Sequence, residues 1–138
     1  MPKAFYEVIT LFDVIEHVTN PADLIQAAAT LLKPQGLLVI TTPKFDSPLA
    51  KIMGKKWYCI FPAHIHYFTQ KSLTKILQTA GLTIVQQKSH TRYLSARYFW
   101  QRLIIFITGK QGTIKNQATQ SSLPINFGDE FEVYAQKG

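Results

Sequence analysis

Asp13, Glu16 and His17 close a strongly apolar run near the start of the chain, YEVITLFDVIEHV, and two more histidines, His64 and His66, flank Ile65 further on. Carboxylates and imidazoles are the side chains that hold or move protons near neutral pH, so this set has the chemistry of a general base or of a polar clamp on a small substrate. In an extended segment His64 and His66 project to one side, and with His17 they offer donor atoms for a metal ion. Their spacing matches no common metal signature. Neutral histidines serving as substrate hydrogen-bond or proton-transfer groups are the simpler reading, and no metal centre is expected. A structural alternative stands beside it: Glu16 and His17 lead into a helix, and the later pair packs.

The elements that must position these residues follow from the hydrophobic pattern. Val8, Ile9, Leu11 and Phe12 show no clean alternation, which predicts a parallel strand covered on both faces over 6–12. Asn20, Pro21 and Asp23 start a helix, whose apolar stripe is Leu24, Ile25, Ala28, Leu31 and Leu32 and whose stop is Lys33-Pro34-Gln35-Gly36, with Gly36 as its cap. LLVITT, 37–42, is a second buried strand halted by Pro43. Strand, helix, strand makes a parallel βαβ unit, so Thr42 and Pro43 reach the same edge as Asp13, Glu16 and His17. Ligands of open parallel sheets bind outside the carboxyl ends of the strands, and that edge is the candidate site.

Residues 44–68 form a long aromatic-rich connection with Phe45, Trp57, Tyr58, Phe61, Tyr67 and Phe68, expected to act as a lid or substrate loop. Thr69 caps a helix bearing Leu73, Ile76, Leu77 and Ala80, Gly81 ends it, and a third parallel strand follows over 83–87. His90 to Lys110 is apolar enough to predict a helix, Gly112 to Pro124 reads as a turn-rich loop, and Phe131 to Gln136 alternates as a last strand. The 138 residues are expected to form one domain, with 90–128 a helical and loop insertion before that strand.

The net charge of +7 is unevenly placed. Eleven Lys and Arg and no acid lie between Ser47 and Gly128, which favours an anionic small-molecule partner or a solvated face. No nucleic-acid motif and no continuous basic helix stripe accompany the charge, so neither nucleic acid nor a membrane surface is the expected partner. One cysteine, Cys59, excludes an internal disulfide and a multi-cysteine metal site. With no signal-peptide pattern and no long apolar window, the expected location is cytoplasmic.

FDVIEHV, LLKPQGLLVITTP, HIHYFTQKSL with AGL behind it, and FGDEFEVYAQK occur in one order over nearly the whole chain. In that order they resemble the carboxy-terminal half of class I S-adenosylmethionine-dependent methyltransferases, in the small-molecule branch. The resemblance implies an α/β fold: a partial Rossmann-like sheet with strands like the family's fourth to seventh, the last one antiparallel between the second and third strands of this chain, and flanking helices. It implies S-adenosylmethionine as cofactor, with Leu11, Phe12 and Asp13 toward its methionine end. It also implies a small-molecule acceptor near Pro43, Trp57 and His64, and Glu16, His17 and His66 as catalytic candidates. The family's glycine-rich cofactor loop is not among the 7 glycines, and no GxGxG occurs. A truncated or split methyltransferase, pairing with itself or with an amino-terminal half, is therefore one reading. A non-catalytic fragment that binds a partner through the edge at 6–12 is the other.

Overall fold

A computed structural model describes residues 4–60, 62–95, 100, 104, 107 and 122–138. The chain divides into two compact units, residues 1–90 with 128–138, and residues 91–127. In the first, β1 (Tyr6–Phe12), α1 (Pro21–Leu31), β2 (Leu32–Pro43), α2 (Pro48–Met53), a 3-10 turn (Gly54–Lys56), α3 (Gln70–Thr79) and β3 (Leu82–Ser89) follow one another, and β6 (Glu130–Lys137) closes it. In the second, β4 (Arg92–Ser95) pairs antiparallel with β5 (Ser122–Ile125).

The sheet order is β1-β2-β6-β3. β1 runs parallel to β2, and β6 lies between β2 and β3 antiparallel to both, as the resemblance implies. The helices start where their caps demand. The Asn20 side chain accepts from the Asp23 amide ahead of Pro21, and Thr69 and Ser72 form a reciprocal capping box on α3. Ile25, Ala28 and Ala29 of α1 and Leu73 and Leu77 of α3 meet Leu38, Ile40, Val133 and Ala135 in one core. Burying a Leu or Ile side chain of this kind contributes about 1.5–3 kcal/mol, and the helix-covered face holds several of them.

Three local expectations are corrected. β1 is not covered on both faces. Ile9 and Leu11 pack against the core, while Val8 and Phe12 are 53% and 57% exposed. The strand is the sheet's edge, and among the described residues nothing covers its other side. Gly36 is not the left-handed cap; Gln35 takes that conformation at φ +65°. Gly36 instead permits a close backbone approach, since a Cβ there would lie 2.9 Å from the Lys33 carbonyl oxygen and 3.2 Å from that of Glu7. The helix expected from His90 begins as a strand, Arg92–Ser95, and the loop expected to reach Pro124 ends as another, Ser122–Ile125. Residues 100, 104 and 107 are helical, while Arg97, Tyr98, Phe99, Arg102, Leu103, Phe106 and the rest of 96–121 lie outside the described residues.

The 44–68 connection carries more structure than a plain loop. Ser47 caps α2 by accepting from the Ala50 amide at 3.0 Å, and Ala50, Trp57 and Cys59 form a small second core with Met53, Tyr58 and Tyr67 packed on it. Phe61, within this connection, is outside the described residues. No helix of the described residues is long and apolar enough to cross a membrane.

Candidate functional site at the carboxyl end of β1

β1 ends in a turn forced by its last hydrogen bonds. Asp13 adopts φ +50°, and its amide donates to the Thr41 carbonyl at 3.1 Å and to Thr41 Oγ1 at 3.2 Å, which ties the turn to β2. The His17 amide then closes on the Val14 carbonyl at 3.0 Å. Ile15 drops into the core, and Glu16 is carried inward with it.

Glu16 is only 1% exposed. Thr42 Oγ1 donates to its Oε2 at 3.0 Å, whereas Oε1 is buried with no hydrogen-bond partner. Burial raises the Glu16 pKa above the usual carboxylate range, against the opposing pull of its own backbone amide and of Thr42. A carboxyl group with a raised pKa beside two imidazoles is the type of group that functional sites accumulate.

The later histidines come to Glu16 through the backbone. Its carbonyl accepts from the Ile65 amide at 2.9 Å and from the His66 amide at 3.1 Å, so the His64–His66 segment is laced to the end of β1. His17 Nδ1 lies 2.7 Å from the Ala63 carbonyl, which accepts only, so the bond requires a proton on Nδ1. The His64 ring packs edge-on to His17 at 4.6 Å between centroids. His66 turns elsewhere, with Nε2 3.3 Å from the Thr19 carbonyl and its ring beside Phe68.

The other expected residues are spread around this cluster. Leu11 packs on the core, Phe12 and Asp13 are exposed beyond it, and Pro43 is buried where β2 pairs with Glu130. Trp57 is 1% exposed, and its Nε1 donates to Asp129 Oδ2 at 3.1 Å; the Tyr58 hydroxyl donates to the same oxygen. The Lys44 amide donates to the Asp129 carbonyl at 2.7 Å. Asp129 thus fastens the 44–68 connection to the start of β6, a role the sequence reading does not assign. The available signal was an Asp-Glu pair closing a long stretch free of acids. A cleft of about 320 Å³ opens between the ends of β2 and β3 and the start of α3, with Lys44, Gln70, Lys88 and Glu130 among its walls. None of Glu16, His17, His64 or His66 lines it, so the cluster, with its unmatched buried oxygen, is the stronger candidate site.

Residues 1–87 match the model of a methyltransferase domain family. The chain belongs to that family. It is 30% identical over 101 residues to a ubiquinone biosynthesis O-methyltransferase of Burkholderia thailandensis, an alignment covering 68% of this chain and 44% of the relative. Its fold matches a S-adenosylmethionine-dependent methyltransferase of Thermotoga maritima with a TM-score of 0.61 at 14% identity, over 100% of this chain and 59% of the other. A S-adenosylmethionine-dependent methyltransferase of Archaeoglobus fulgidus matches with a TM-score of 0.60 at 15% identity, over 99% and 62%. The chain therefore spans about half the length of these methyltransferases.

Proposed function

We propose that this chain supplies the acceptor side of a S-adenosylmethionine-dependent methyltransferase acting on a hydroxyl of a small molecule, with the cofactor held mainly by residues beyond β1. The single observation that carries the reading is the Glu16, His17 and His64 cluster at the carboxyl end of β1, the edge where open α/β sheets bind ligands. S-adenosylmethionine would supply the methyl group when bound, and this chain's residues would orient the acceptor hydroxyl and take up the proton it gives up on methylation. His17 and His66 are the candidate bases, and Glu16 with Thr42 sets the polarity beside them. An O-acceptor is preferred because the Burkholderia relative is named as an O-methyltransferase; the basic stretch between Ser47 and Gly128 suits an anionic acceptor.

The open edge of β1 supports the division of labour. Its outer side has no strand partner among the described residues, and Val8 and Phe12 are bare. Further strands beyond β1 would pair with its backbone edge, helices connecting them would cover those side chains, and they would bring the glycine-rich backbone this sequence does not contain. The same edge favours a second reading, a non-catalytic module that pairs with another chain.

A chimaera that places this chain behind the amino-terminal part of the Burkholderia relative, given labelled S-adenosylmethionine and a phenolic acceptor in chelator-treated buffer, tests the first reading. Transfer is expected, and His17→Asn or His66→Asn is expected to lower kcat by about 10²–10⁴-fold, the usual contribution of a base. A chimaera that binds cofactor but transfers no methyl argues for the module, and transfer unchanged with both histidines replaced rules them out as the base.

A further inference from the structure

We propose that Glu16, His17 and His64 form a binding site for a divalent transition-metal ion of the zinc class. Each of the three offers one ligand atom, and these atoms all lie within 4.8 Å of one another. Zinc bonds of about 2.0–2.1 Å set tetrahedral neighbours about 3.3 Å apart, so the atoms must draw in by no more than about 1.5 Å, within reach of small side-chain rotations. Two imidazoles and one carboxylate are the donor set of borderline ions, and of catalytic zinc sites that keep a fourth position open. Calcium and magnesium prefer oxygen ligands throughout, which this set does not provide.

The surroundings of each ligand are those a metal site requires. Glu16 is a buried acid whose Oε1 has no partner while Thr42 holds Oε2 in place. The ion pairs among the described residues are Lys33 with Glu7 and His90 with Glu132, so no such pair neutralises Glu16. A cation drawn to Oε1 would complete an otherwise costly burial. His17 donates Nδ1–H to the Ala63 carbonyl, the outer-shell bond typical of metal-binding histidines, and this tautomer puts the lone pair on Nε2. His64 needs no long loop closure to reach the others, since the Ile65 and His66 amides already bind the Glu16 carbonyl. The sequence expectation paired His64 with His66 and expected no metal; the fold replaces His66 by Glu16, a residue 48 positions from His64.

With three protein ligands the ion keeps a position for water or for an acceptor oxygen, whose proton it would make easier to remove; with His17 ligating, the base role would fall to His66. That use rests on the methyl-transfer reading, whereas binding does not, and the chelator-treated transfer assay above judges that reading separately.

The test uses the tag-free chain, stripped with chelator and titrated with Zn²⁺ by calorimetry and with Co²⁺ by visible absorption. One ion per chain with a dissociation constant below about 10 μM is expected. Glu16→Gln and His64→Asn should each abolish one-to-one binding. Thr42→Val should weaken it by about 10–100-fold, the effect of losing an outer-shell partner. His90→Asn, outside the cluster, should leave it unchanged. Should a ligand variant fail to fold, ring proton shifts of the wild type decide: Zn²⁺ must move His17 and His64 before His66 and His90. No stoichiometric binding at about 100 μM Zn²⁺, unchanged binding by folded Glu16→Gln and His64→Asn, or shifts led by His66 or His90 would overturn the proposal.

Discussion

Asp129 and Glu16 are both acids shut away from solvent, at 4% and 1% exposure, yet their surroundings treat them differently. Asp129 accepts from Trp57 Nε1 and the Tyr58 hydroxyl on one oxygen, and its backbone carbonyl holds Lys44. Glu16 accepts from Thr42 on one oxygen and leaves the other buried without a partner. A buried acid met by donors from a tryptophan and a tyrosine is a structural fastening, and its value is stability. One left half-matched at the carboxyl edge of a parallel strand costs stability, and its retention is explained by what it can bind.

The largest expected effect is on the fastening. Trp57→Ala should destabilise the fold by about 3–5 kcal/mol, since it empties a buried site and removes a donor from Asp129. Asp129→Ala should cost about 1–3 kcal/mol by stranding the Trp57 and Tyr58 donors. Chemical denaturation measures both, and a loss below about 0.5 kcal/mol in each would break the contrast.

Glu16 should respond to pH in the opposite sense from a stabilising acid. Burial raises its folded pKa above the ordinary 4.5, so its contribution to stability is full below that value and is lost as pH rises through the folded pKa. Glu132 runs the other way, because the Tyr134 hydroxyl and then His90 lower its pKa; it is present in both proteins and cancels from the difference. Glu16→Gln should therefore gain on the wild type as pH rises above about 4.5, the ordinary value. A difference in stability that stays flat with pH would show that Glu16 is not the strained acid.

The smallest expected change in stability is at the edge strand. Val8→Lys alters an exposed position, so stability should move by no more than about 0.5 kcal/mol. Self-association at tens of micromolar should fall, since a charge now blocks pairing along β1. Unchanged light scattering would show that this edge is not the contact.

The sheet was legible in the sequence because its signals are local. Asn20 with Pro21, and Thr69, mark the helix starts, and the apolar stripes of α1 and α3 mark the buried faces. The place of β6 between β2 and β3 came from family resemblance, since alternation in FEVYAQ does not specify neighbours. Composition misled at β1. Val8 and Phe12 are as apolar as Ile9 and Leu11, and a pattern without alternation carries no information about whether anything covers the second face. The chemistry was legible as residue types and not as partners. His64 and His66 differ by two positions, but backbone bonds to Glu16 send one ring to His17 and the other to Thr19. The Trp57 to Asp129 fastening spans 72 residues, a separation no local pattern encodes.

Calorimetric titration of this chain alone with S-adenosylmethionine tests most directly the claim that it carries the acceptor end of the site and not the cofactor end. With no GxGxG backbone and no ribose acid following such a loop, binding should be no tighter than about 1 mM, a free energy near −4 kcal/mol. A one-to-one dissociation constant near 1 μM, about −8 kcal/mol, would contradict the account and place a complete cofactor site within these residues.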